Sequence, residues 1–101
     1  MARYRMEDGT VVDTDRASAR WEEAKRWDGR NQISVNTGNQ WDHQTLYRSR
    51  RGRYYVERWS QWQGSTAHVE WVSPQEAARW LVLNAEELPD DLKQYEADVT
   101  E

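Results

Sequence analysis

Rings, and few aliphatic side chains, have to make the core of this chain. It carries seven Trp and five Tyr, with no Phe, one Ile and five Leu. Where those rings fall on periodic segments therefore limits the fold more than any other feature. Only 37% of residues are apolar and the mean hydropathy is −1.18, which would suit a disordered chain. Disordered chains, however, are poor in aromatic residues. Most rings here lie on periodic, well-capped segments, so the chain is expected to fold. Its 101 residues fit one compact domain, 1–101, with about the last four residues frayed.

Segment 3–14 reads as a hairpin, with Tyr4 and Met6 between charged neighbours and Asp8-Gly9 supplying a positive-φ turn. Asp13-Thr14-Asp15 offers N-cap residues for a helix running to about Trp27, with Ala17, Trp21 and Ala24 on one face. Ile33 and Val35 alternate as in a short strand, with a turn after them at Asn36-Thr37-Gly38-Asn39. The strongest β signal comes next. Thr45-Leu46-Tyr47, the segment 54–62 and the segment 67–72 form a three-stranded antiparallel meander, turning at Arg50-Arg51-Gly52-Arg53 and Gln63-Gly64-Ser65. Neither face of 54–62 is cleanly apolar, so periodicity alone does not say which is buried. Ser73-Pro74-Gln75-Glu76 is a helix start with a cap, an N1 proline and a capping-box glutamate. The helix it opens is the most apolar one and ends at Asn84. A last short helix begins at Leu88-Pro89-Asp90-Asp91-Leu92, docked by Leu88, Leu92 and Tyr95.

This order predicts an α+β fold: an antiparallel sheet, made of the N-terminal hairpin plus the meander, with about three helices packed mainly on one face. The expected core is Trp21, Leu46, Val56, Val69, Trp71, Ala77, Trp80, Leu81 and Leu92.

Several function classes lose their materials. No window approaches 18 consecutive apolar residues, and the N-terminus lacks the apolar stretch of a secretory signal. With no cysteine there can be no disulfide, thiol catalysis or Cys-ligated zinc. The expectation is a cytoplasmic protein with no membrane partner. Phosphate-loop, dinucleotide-binding and nucleophile-elbow motifs are missing, so neither a cofactor nor enzymatic activity is expected. No motif identifies a family.

Charge is unevenly distributed. Segment 44–63 holds five Arg against Glu57, and segment 84–101 holds seven acids against Lys93. The acidic segment could pack on the basic one or remain a separate solvated surface. Within the meander, Tyr47, Arg48, Arg50, Arg51, Arg53, Tyr55, Arg58, Trp59 and Trp62 lie close together. Arg, Tyr and Trp dominate the energetics of protein interfaces. The same mixture also neutralises phosphates and stacks bases. The bland alternative is that the rings are core and the arginines lie along them or pair with acids. The leading expectation is a small non-enzymatic interaction module, a regulator or inhibitor that binds a protein partner through these nine residues. The alternative is single-stranded nucleic-acid binding by the same surface, although a pI near 5.2 argues against a wholly basic domain. Homo-oligomerisation through an exposed edge strand is a further option.

Two weaker readings remain. His43, His68 and Glu70 could form a metal or acid–base site if the strands brought them together, but their spacing matches no metal motif. Asn31, Gln32, Asn36, Asn39, Gln40 and Gln44 around Trp41 are the materials of a sugar site, and equally of a polar loop that satisfies its own turns.

Overall fold

The computed structural model describes residues 3–27, 29–30, 32–35, 42–60 and 67–96. The fold is α+β, with antiparallel sheets and one main helix. Strands β1 (Arg3–Arg5) and β2 (Val11–Asp13) form the expected N-terminal hairpin. Gly9, at φ 86°, occupies the left-handed backbone region that its turn requires and that a side chain would disfavour. A single 3₁₀ turn (Thr14–Arg16) comes next, then β3 (Ala19–Glu22), β4 (Lys25–Trp27) and β5 (Gln32–Ser34). Strands β6 (Asp42–Arg48), β7 (Tyr54–Ser60) and β8 (His68–Val72) are the meander. Helix α1 (Pro74–Leu83) and a 3₁₀ segment (Asp90–Tyr95) complete the described chain.

The strands make three sheets: the β1–β2 hairpin, the β4–β5 hairpin, and a four-stranded antiparallel sheet in the order β3-β6-β7-β8. The N-terminal hairpin thus stands apart from the meander, contrary to the single sheet expected.

The helix expected over 15–27 does not form. Asp13 does act as an N-cap, its carboxylate accepting from the Asp15 N–H at 3.0 Å, but the helical turn lasts only three residues. Beyond it the burial alternates: Ala19 and Trp21 are half-buried, while Arg20 and Glu22 are exposed. A period of two belongs to a strand. Trp21 pairs with Leu46 across the β3–β6 ladder, and its ring stacks on Tyr54 with centroids 6.1 Å apart. A ring placed on the pleated surface beside another ring suits a strand better than a helix face separated from it.

Helix α1 starts as its sequence predicts. Ser73 Oγ accepts from the Glu76 N–H at 3.1 Å and donates to the Glu76 carboxylate at 3.2 Å. Its far end closes with a Schellman pattern: Glu86 N–H bonds Leu81 C=O at 2.9 Å and Ala85 N–H bonds Val82 C=O at 3.1 Å. Ala85 takes the left-handed position at φ 58°, where glycine is usual.

Both faces of the four-stranded sheet are covered, one by α1 and the segment after it and the other by the N-terminal hairpin, and one main helix stands where about three were expected. On one face Leu46, Tyr54 and Val56 pack with Ala77, Ala78, Trp80 and Leu81 of α1 and with Leu88 and Leu92 beyond it; Trp21, Val72 and Tyr95 flank this cluster. On the other face Tyr47 and Tyr55 pack under Met6 and Val12 of the hairpin, with Tyr4, Ala17, Val69 and Trp71 at the margin. The expected core therefore divides: Val69 and Trp71 belong to the second cluster. Burial on β7 changes along the strand, since Tyr54, Tyr55 and Val56 are all buried and Glu57 to Ser60 are all half-buried. Each fully buried aliphatic or aromatic side chain contributes about 1.5–3 kcal/mol, so the two clusters together hold the layers in place. The turns expected at 36–39 and 63–65, Trp41 and Trp62, and the frayed tail lie outside the described residues.

Candidate functional site

The β6–β7 turn is built by hydrogen bonds from Ser49. Its N–H bonds Arg53 C=O at 2.6 Å, its C=O accepts from Gly52 N–H at 2.9 Å, and its hydroxyl accepts from Arg53 N–H at 3.0 Å. Gly52 sits at φ 89°, the left-handed conformation that closes this turn without a side-chain penalty. Arg50 and Arg51 consequently stand exposed at the turn corners. The docked hairpin brings Arg3 and Arg16 to the same end of the molecule. Between turn and hairpin lies a cleft of about 600 Å³, lined by Arg3, Arg16, Arg50, Arg51 and Arg53, by the single acid Asp13, and by Tyr55 and Trp71.

The charges here are unevenly satisfied. Asp13 is shared by Arg3 at 3.5 Å and Arg16 at 3.9 Å. Arg53 lies 3.7 Å over the Trp71 ring and 3.5 Å from Asp8, a cation–π contact that holds the guanidinium flat. The Asp8 carboxyl is held down to about 2, chiefly by the Thr10 backbone N–H, with the Thr10 side chain and Arg53 adding to it. Arg50 and Arg51 have no ion-pair partner among the described residues.

Three tyrosines meet where the hairpin rests on the sheet: Tyr4 on β1, Tyr47 on β6 and Tyr55 on β7. Tyr4 and Tyr47 both donate to the Glu57 carboxylate, at 2.5 and 3.3 Å. Burial first, then the hydrogen bond and the charge of Glu57, push the Tyr4 hydroxyl up to about 12. Tyr55 stacks on Tyr47 at 5.1 Å and is 1% exposed. Its hydroxyl has no hydrogen-bond partner among the described residues. Burial, with the negative groups nearby, raises it above the usual tyrosine range, so the phenol bordering the cleft stays neutral and can donate or accept a hydrogen bond.

The nine meander residues named from sequence are dispersed. Arg50, Arg51, Arg53 and Tyr55 meet at the cleft. Tyr47 is buried beside Tyr55. Arg48 reaches Asp91 at 3.2 Å and the Ser18 hydroxyl at 2.9 Å, and Asp91 also accepts from the Tyr54 hydroxyl at 2.9 Å. Here the acidic segment does touch the basic one. Arg58 pairs with Glu70, its Nε at 2.9 Å. Trp59 is half-buried against His43, with ring centroids 5.5 Å apart. Trp62 lies outside the described residues.

His43, His68 and Glu70 do not converge. His43 pairs with Trp59 and His68 with Arg58. Trp59 and Arg58 are neighbours on β7, so the two histidines point to opposite faces of the sheet, two strand spacings or roughly 10 Å apart. Among the described residues no group of three or more His, Asp or Glu could hold a metal ion. Of the proposed sugar site, only Gln32 and Gln44 lie among the described residues, and Gln44 accepts from the Trp80 indole at 3.1 Å.

A buried polar network escapes sequence reasoning. Glu23, Ser34 and His43 are all buried. His43 Nδ1 lies 2.6 Å from Glu23 Oε1, the Ser34 hydroxyl donates to Oε2, and the Gln44 N–H reaches Oε2 at 3.2 Å. His43 Nε2 has no partner among the described residues. Arg3, Arg16 and Trp71 escape it as cleft residues too, because they are distant in sequence and neither spacing nor composition joins them to the β6–β7 turn.

No helix of the described residues is long and apolar enough to cross a membrane. No family model, curated protein or solved structure matches the chain.

Proposed function

We propose that the chain is a small non-enzymatic interaction module that binds an acidic segment of a protein partner in the arginine-lined cleft and regulates or inhibits that partner. One observation carries this reading: five arginines and a single aspartate line one concave surface. Two of those arginines, Arg50 and Arg51, are unpaired among the described residues. Surplus positive charge on a concave wall raises the local concentration of an acidic ligand and steers its approach. The nucleic-acid alternative uses the same arginines but needs exposed ring faces for stacking, and Tyr47 and Tyr55 are 3% and 1% exposed.

The test is a titration at low salt that follows Trp fluorescence, using a Glu-rich peptide and a single-stranded oligonucleotide in parallel. The peptide is expected to saturate, to weaken as salt rises, and to lose about tenfold or more in affinity with Arg50→Glu/Arg51→Glu, since each reversed charge turns attraction into repulsion. An oligonucleotide that saturates while the peptide does not replaces this reading with the nucleic-acid one. If neither binds, both are overturned.

A further inference from the structure

The arginines of the cleft come from separate elements. Arg3 stands on β1 and Arg16 on the 3₁₀ turn after β2, while Arg50 and Arg51 stand on the β6–β7 turn. Arg53 is already held by the Trp71 ring and Asp8. The other four guanidiniums have one acid among them. Asp13 lies 3.5 Å from Arg3 and 3.9 Å from Arg16, both longer than the roughly 2.7–2.9 Å of a charge-assisted hydrogen bond. The Arg3 and Arg16 side chains remain 65% and 67% exposed. Arg50 and Arg51 are exposed and have no ion-pair partner among the described residues. Donor forks on two walls are therefore left with a single, loosely held carboxylate.

We propose that the acidic segment bound by the cleft carries a phosphoryl group, held by arginines of both walls. The proposal rests on the acidic-segment reading above. A carboxylate has one charge and two oxygens in one plane, so one arginine fork satisfies it. A phosphoryl group on a side chain carries about −1.5 to −2 charges and presents three strong acceptor oxygens. Those oxygens are arranged tetrahedrally, so donors can meet them from several directions at once. Guanidiniums arriving from β1, the 3₁₀ turn and the β6–β7 turn suit such a group better than a single planar acceptor. The same group also offsets more of the surplus charge at one point. Arginine fits the task, because its rigid fork binds phosphate in bidentate fashion and keeps its charge. A nucleic-acid phosphodiester carries one charge per phosphate and has only two free oxygens, so it matches this surplus less well.

Two otherwise identical peptides test this, one with a phosphoserine and one with a Glu-Glu pair, so that their charges match near pH 7. The phosphopeptide is expected to bind about tenfold more tightly. Lowering the pH from 7 to 5 should weaken it several-fold, since the phosphoryl group takes up its second proton near pH 6. The Glu-Glu peptide should hold its affinity, because glutamate stays ionised in this window. The ionisable groups lining the cleft are its arginines, Asp13 and Tyr55, with Asp8 beside Arg53. Histidine, the side chain that ordinarily changes charge between these values, is not among them. Arg16→Gln and Arg51→Gln, one on each wall, should each shrink the phosphopeptide's advantage. Both side chains are exposed, and the pH comparison on the unaltered protein needs no variant. Equal affinity of the two peptides, or the same pH response from both, overturns the phosphoryl site and leaves the acidic-segment reading standing. An advantage that Arg16→Gln leaves intact overturns its placement between two walls. Failure of both peptides to bind overturns the acidic-segment reading itself, and this proposal with it.

Discussion

The Asn84 side chain ties the end of α1 to the backbone of Ala24. Its Oδ1 accepts from the Ala24 N–H at 2.7 Å, while its Nδ2 donates to Trp80 C=O at 2.7 Å. Asn84 is 4% exposed, so no water can substitute for these bonds without rearrangement. Asn84→Ala is expected to cost about 1–3 kcal/mol, because the Ala24 N–H loses its acceptor, while Trp80 C=O keeps its bond from the Asn84 backbone N–H at 3.1 Å. Asn84→Asp should also destabilise, since it keeps the acceptor but removes the donor and buries a charge. Urea unfolding followed by Trp fluorescence measures both.

Ala85 at φ 58° is a separate source of strain. The left-handed conformation brings its Cβ close to the next carbonyl, at a cost of roughly 1 kcal/mol. Ala85→Gly removes the Cβ but also makes the unfolded chain more flexible. The net expectation is stabilisation by about 0.5 kcal/mol, seen as a higher urea midpoint at unchanged slope.

Glu23 serves three donors: Ser34, His43 and the Gln44 N–H. Glu23→Ala should cost about 3 kcal/mol or more, because a buried serine, a buried histidine and an amide are left without their acceptor. Glu23→Gln retains the shape but turns one oxygen into a donor facing other donors, so it too should destabilise, though less. Equal stability of Glu23→Gln and the parent in the same unfolding assay would show that the carboxylate is not needed there.

At acid pH the relevant group is Asp8, held at about 2 against an ordinary 3.8. A depressed folded value stabilises the fold above about pH 4, and that contribution is lost as pH falls from about 4 toward 2. Asp8→Asn should flatten the decline in stability across this window. At the alkaline end the sign reverses. Tyr4 is raised from 10.0 to about 12, so its contribution is complete below pH 10 and is lost as pH rises from 10 to 12. Tyr47, Tyr54 and Tyr55 shift the same way, burial being the first cause in each. A phenolate absorbance titration should find these four titrating late in the native protein and together at the ordinary value in denaturant.

Local chemistry is what the sequence makes readable. Ser73, Pro74 and Glu76 fix the start of α1 wherever the rest of the chain goes, and Gly9 and Gly52 are needed at their turns whatever covers the sheet. Trp21 misleads because Ala17, Trp21 and Ala24 also satisfy a helical spacing. Pairing with Leu46, 25 positions away, decides the matter, together with the alternation of Ala19 and Trp21 against Arg20 and Glu22. The mixed faces of 54–62 have a physical cause that no periodicity could reveal: both are buried at one end of β7 and half-open at the other. The cleft is half legible. Arg50, Arg51, Arg53 and Tyr55 are close in sequence, but Arg3 and Arg16 reach it through the fold alone. Glu23 resembles one of an exposed acidic pair with Glu22, although its place two residues after the half-buried Trp21 is a signal for the interior.

The arginine-lined cleft is not hollowed out of one rigid body. One wall is the β6–β7 turn and the other is the β1–β2 hairpin, which forms a separate sheet and rests on Tyr47 and Tyr55 through Met6 and Val12. Whatever ligand bridges the walls must therefore act as a clamp, and its binding energy is shared with hairpin docking. Conversely, loosening the hairpin with Met6→Ala weakens a ligand that Met6 never touches, and amide exchange across residues 3–13 becomes a gauge of occupancy at a site to which Arg50, Arg51 and Arg53 contribute from the opposite wall.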